Sequence, residues 1–227
     1  MKKSLNILYL TALYPCLLLA DGAVIDKVYH PYVQSLEREF EWRQISANDT
    51  QIYRLGIGRS ITDRLFVEGY LIAKDVGNHL QLDAYEIEAK WQLTEQGEYT
   101  TDWGVLFELE KEQHDNTWEA SAGLLMEKEW GRWIATANVK IIYEWGAKVK
   151  NELEVSLASQ VRYRYKRYLE PAIELYSGEQ GVALGPVLMG DIGLATAKKL
   201  HWEFGSILGF DSKAPSNTWR LLMEYEF

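Results

Sequence analysis

From about residue 34 onward, apolar and polar side chains exchange places at every second position. In 151–165 one face carries Leu153, Val155, Leu157, Ser159, Val161, Tyr163 and Tyr165, and the other carries Glu152, Glu154, Ser156, Ala158, Gln160, Arg162 and Arg164. In 132–145 Trp133, Ala135, Ala137, Val139, Ile141, Tyr143 and Trp145 face away from Thr136, Asn138, Lys140 and Glu144. At the end of the chain Trp219, Leu221, Met223, Tyr225 and Phe227 alternate with Arg220, Leu222, Glu224 and Glu226. Successive side chains of a strand point to opposite faces, so period two predicts strands with one greasy and one charged side. The pattern recurs at 34–46, 51–60, 63–74, 80–94, 101–112, 117–129, 168–179, 183–195 and 199–211, giving twelve strands in all. Segment 80–94 changes phase near Ala84, as a bulge or an extended loop does. The connections, such as Ala47-Asn48-Asp49, Lys166-Arg167 and Pro215-Ser216-Asn217, are short enough for consecutive hairpins. The expected fold is all-β, an antiparallel up-and-down barrel of one domain.

Which way the greasy face turns decides the class. A soluble barrel turns it inward. Here the polar face is dense in charge and loops are few, which favours an apolar face toward lipid. The aromatics, 9 Trp, 14 Tyr and 6 Phe, sharpen this expectation because many fall near strand ends. With both termini at the periplasmic end, Trp91, Trp103, Trp133, Tyr163, Tyr165 and Tyr225 gather at one rim. Trp42, Tyr53, Trp118, Trp145, Phe210 and Trp219 gather at the other. Two girdles flanking an apolar band suit a bilayer, whose interfaces attract amphipathic rings. Past the N-terminus no apolar run approaches the roughly 18 residues of a spanning helix. Unpaired backbone groups cost several kcal/mol each in hydrocarbon, so the sheet must close, with the strand at 37–45 pairing with 220–227.

The N-terminus has the form of an export signal: Lys2 and Lys3, then an apolar stretch through Leu19, then small residues at Ala20, Gly22 and Ala23. Cleavage is expected after Gly22, leaving 23–227 as the barrel. Cys16, the sole cysteine, would leave with the signal, which excludes disulfides and cysteine-rich metal sites. The final strand, ending Tyr225-Glu226-Phe227, resembles the assembly signal of bacterial outer-membrane β-barrel proteins. The resemblance implies outer-membrane localisation, surrounding outer-membrane lipid, and recognition of Tyr225 and Phe227 by the barrel-assembly machinery.

With the apolar face toward lipid, the charged face lines the lumen. Expected lumen residues include Glu86, Glu88, Glu108, Glu152, Glu154, Arg162, Arg164, His201, Glu203 and Glu224, with acids outnumbering bases. Such a lining either pairs across strands in salt-bridge ladders or forms an acidic conduit that favours cations and small cationic solutes. The net charge of −9 argues against nucleic acid as a partner. No P-loop, dinucleotide fingerprint or His-Glu-x-x-His motif is present, and no cofactor or metal site is expected. His201 stands two residues before Glu203, but no second ligand is fixed nearby. Outer-membrane phospholipases also have barrels of this size, with a His, a Ser nucleophile and an Asn. Here Asn116 follows His114 by two positions and no Ser completes a comparable motif. Gly56, Gly58, Gly190 and Gly193 lie within strand patterns and read as relief of crowding or bulges. The favoured function is a small channel with an acidic lumen. The alternatives are a non-conducting structural or partner-binding barrel and a lipid-modifying enzyme. Residues 25–32, with His30-Pro31, either lead into the barrel or fold inward as a plug.

Overall fold

A computed structural model describes residues 25–227 except 78, 115, 148 and 197. The proposed export signal and its cleavage site therefore lie outside the described residues. Twelve strands follow one another: β1 (Arg38–Ala47), β2 (Thr50–Thr62), β3 (Leu65–Val76), β4 (His79–Gln92), β5 (Asp102–Glu112), β6 (Thr117–Trp130), β7 (Trp133–Gly146), β8 (Glu152–Tyr163), β9 (Glu170–Gly178), β10 (Gly181–Ala195), β11 (Lys198–Gly209) and β12 (Asn217–Glu226). Each pairs antiparallel with its sequence neighbours, and β1 pairs with β12 to close the barrel. The closing register runs from Glu39 opposite Glu226 to Ala47 opposite Thr218. The Phe227 amide adds one more bond, donating to the Arg38 carbonyl at 2.9 Å.

The wall is greasy outside and charged inside. Leu55, Ile57, Ile87, Phe107, Ile141, Val155, Ile173 and Phe204 are exposed, whereas Glu41, Arg43, Glu174 and Arg220 are fully buried. A water-soluble protein cannot leave such a continuous apolar belt uncovered, because each large side chain forfeits about 1.5–3 kcal/mol of burial. Ring pairs mark the strand ends. Trp118 stacks on Trp145 at 6.3 Å at the end away from the C-terminus, and Trp133 meets Tyr163 at 4.9 Å at the C-terminal end. In the expected orientation the C-terminal end is periplasmic and the opposite end is the outer one.

Two local departures have physical causes. The phase change in β4 is a bulge, since Ile72 opposes Ala84 and Ala73 opposes Leu82, leaving Asp83 as the extra residue. The extra residue turns Ala84 into the interior, where it packs with Tyr70 and Ile72. The first strand begins at Arg38 and not at 34, because Leu36 adopts a left-handed conformation (φ 64°) that breaks the extended run. Gly56 and Gly58 relieve crowding: a methyl group on either would run into the side chains of Glu68, Tyr70 or Phe66 on β3.

Candidate functional site

Residues 25–33 enter the barrel and thread its interior. Near the outer end Ile25 and Val28 pack with Tyr176, Ala183, Ile207 and Ala214. Below them, Asn138 on β7 holds the segment by its backbone. The Tyr29 amide donates to Asn138 Oδ1 at 2.7 Å, and Asn138 Nδ2 donates to the Tyr29 carbonyl at 2.8 Å. The Tyr29 hydroxyl donates to Glu88 at 2.7 Å. Toward the periplasmic end His30 Nδ1 lies 2.5 Å from Glu127, the Tyr32 hydroxyl donates to Asp102 at 2.8 Å, and the Val33 amide donates to Gln92 at 2.7 Å. Arg220 and the Tyr176 hydroxyl both donate to the Asp26 carbonyl, and the Asp26 carboxylate pairs with Arg43. A segment without hydrogen-bonded neighbours in a sheet thus places the backbone groups of Asp26, Tyr29 and Val33 on lumen side chains, as burial favours.

The segment divides the lumen into two chambers. The outer one, with about 160 Å³ of space open to water, includes Arg54, Glu86, Glu108, Glu119, Lys140 and Glu154 in its lining. The periplasmic one, with about 420 Å³, includes Glu39, Glu68, Glu88, His201, Glu203 and Glu224. Lys27 and Tyr29 line both, so these two side chains stand at the waist.

The residues singled out from sequence fall into three groups. Glu86, Glu88 and Glu108 are buried on neighbouring strands. Glu86 pairs with Arg54, and Glu108 accepts from Ser121 and from Lys140 at 3.0 Å. His201, Glu203 and Glu224 gather near the periplasmic end. His201 lies 2.8 Å from Asp191 and 3.2 Å from Glu203, which in turn binds Arg220 at 2.6 Å, while Glu224 meets Lys27 at 3.2 Å. The remaining four stand apart. Glu152 is exposed and Glu154 half-buried at the outer mouth, close to Glu179. Arg162 pairs with Glu170 at 3.3 Å near the periplasmic end. Arg164 lies just beyond β8 and is bound by Glu129 at 2.7 and 2.5 Å. Tyr225 and Phe227 stack at 5.4 Å at the end of the closing strand.

Strand register adds an arrangement that the alternation alone does not reveal. Glu68, Glu88 and Glu108 are cross-strand neighbours, and so are Glu86, Glu110, Glu119, Glu144 and Glu152 in succession. Like charges opposite one another destabilise a sheet. Cations offset part of this, with Arg54 on Glu86 and Lys140 on Glu108. The segment residues Asp26, Lys27, Tyr29 and His30 were not identified as site residues from sequence, nor were their partners Asn138, Glu127 and Tyr176. No strand pattern covers 25–33, and its mixed charges and His30-Pro31 are the only signal the sequence carries there.

No protein-family model and no curated protein matches this sequence. Solved structures do share its shape. The KdgM porin in complex with disordered oligogalacturonate is 12% identical with a TM-score of 0.59, over 83% of this chain and 99% of that one. The NanC porin is 9% identical with a TM-score of 0.57, over 84% and 100%. The COG4313 outer membrane channel from Pseudomonas putida F1 is 14% identical with a TM-score of 0.56, over 89% and 98%. At such identities the likeness is one of fold. Joined to the exposed apolar belt, it makes this chain an outer-membrane β-barrel.

Proposed function

We propose that this barrel is an outer-membrane channel whose lumen favours cations and whose waist is held shut by its own N-terminal segment. The carrying observation is the pair of chambers, each lined by charged groups and separated at Lys27 and Tyr29. A barrel built only for rigidity has no need of facing carboxylates that repel one another along β4 to β8. In a water path, rows of carboxylates attract cations and repel anions. Porins and a channel share the fold, which supports the channel reading. The filled waist favours a second reading, a barrel that never conducts. The histidines give little support to lipid chemistry, because His114 lies in the β5–β6 connection toward the outer end and His201 lies near the periplasmic start of β11. We further propose that Tyr225 and Phe227 present the closing strand to the assembly machinery.

Planar-bilayer recording across a potassium chloride gradient tests the channel reading. Infrequent openings with a cation-selective reversal potential are expected. Absence of any conductance, both in the wild type and in a variant with a loosened segment, would leave the non-conducting barrel as the correct account.

A further inference from the structure

The segment crosses the waist with a cation seated among acids. Lys27 Nζ contacts Glu41 Oε2, lies 3.2 Å from Glu224 Oε1, and is 3.5 Å from the Tyr70 hydroxyl. Glu41 and Glu224 are cross-strand partners on β1 and β12, and Glu39 lies two residues along β1 on the same face. Carboxylate oxygens from Glu39, Glu41 and Glu224 all lie within 4.8 Å of one another. Two further observations show carboxylate groups in and beside the cluster that Lys27 does not serve. Glu39 is only 7% exposed, and among the described residues it makes neither a hydrogen bond nor an ion pair. Across Gly58 from it, Glu68 Oε1 is buried without a hydrogen-bond partner. Arg43 does not fill this role, since its guanidinium is engaged by Asp26 and by the other Glu41 oxygen.

We propose that Glu39, Glu41 and Glu224, with Glu68 beside them, form a calcium-type divalent-cation site in the lumen, which the tethered ammonium of Lys27 occupies. The donor set is all oxygen and anionic, the chemistry that hard cations select. Two oxygens bound to one calcium ion at about 2.4 Å are at most about 4.8 Å apart, so the cluster is compact enough to share one ion. Magnesium, with shorter bonds and a strict octahedron, fits this spacing less well. Without Lys27 the three clustered carboxylates lose their ammonium, and mutual repulsion favours capture of a free cation. The site opens on the periplasmic chamber, which Glu39, Glu68, Glu224 and Lys27 all line. It stands on the cage alone and does not require the barrel to conduct.

Lys27→Met and Lys27→Gln barrels, stripped with EDTA in detergent, are titrated with calcium chloride by calorimetry beside the wild type. Each variant is expected to bind one more calcium ion per barrel than the wild type, with a Kd below about 1 mM. Adding Glu39→Gln to Lys27→Met should weaken that extra site at least about tenfold, because it removes one of the anionic ligands. The acids at the outer mouth, Glu152, Glu154 and Glu179, are common to all samples and cancel in the difference. A variant that refolds in calcium but not in EDTA supports the same conclusion. Equal stoichiometry in wild type and both variants overturns the proposal, as does failure of both variants to refold with calcium present.

Discussion

Asn138→Leu removes the clamp on the N-terminal segment while conserving the branching and the number of side-chain heavy atoms. Asn138 is buried on β7 and makes two bonds to one residue, accepting from the Tyr29 amide and donating to its carbonyl at 2.7 and 2.8 Å. Leucine can do neither, so two buried backbone groups of Tyr29 lose their partners. Each such loss costs roughly 1–3 kcal/mol, or about 2–6 kcal/mol together. Undocking frees both groups to bind water, so the cost falls on the docked state alone. At about 1.4 kcal/mol per factor of ten, even the lower figure raises the undocked population about 30-fold. Val28 is 4% exposed in the docked segment and offers a reporter. In a Val28→Cys background, maleimide labelling of the folded barrel should run at least about 30-fold faster with Asn138→Leu than without it. In bilayers the same variant should open more often. A labelling rate within about threefold of the parent would show that the Asn138 clamp does not hold the segment.

Two further outcomes follow from other parts of the molecule. Arg220 is fully buried and binds Glu174 at 3.0 Å and Glu203 at 2.6 Å; Arg220→Met takes the guanidinium from both buried carboxylates and should cost about 3–5 kcal/mol in a reversible denaturant titration. In the outer β11–β12 connection the exposed Asp211 carboxylate accepts from the amides of Ala214 at 2.9 Å and of Lys213 and Val182 at 3.0 Å. These amides hold its pKa below the usual value. Stabilisation is therefore fully present above the unfolded pKa of about 3.9 and is lost as pH falls through the lower folded pKa. Protection of the Ala214 and Val182 amides from exchange, relative to their intrinsic rates at each pH, should fall below about pH 4, and Asp211→Asn should flatten that dependence.

Much of the wall was legible in the sequence because alternation is a local property. The period-two runs place strands within a few residues of those observed, and the need to satisfy backbone groups in lipid dictates closure of the first strand on the last. Even the bulge at Asp83 leaves a trace, the phase change beside Ala84. The candidate site was legible only as a face. Alternation puts Glu86, Glu88, Glu108, Glu203 and Glu224 on one side of their strands, but it says nothing about which strand lies across the lumen.

Tertiary structure decided the rest. Lys27 finds Glu224 across 197 positions, and the Tyr176 hydroxyl finds the Asp26 carbonyl across 150. Such contacts depend on register and closure accumulated around twelve strands, which no local pattern encodes. The path of residues 25–33 depends in the same way on an interior that exists only after the wall has closed. The sequence by itself determined a closed barrel with lipid outside and charge within. The three-dimensional fold determined that this charge grips the chain's own N-terminal segment, because only closure brings Asn138, Glu41, Glu88 and Arg220 around one line through the lumen.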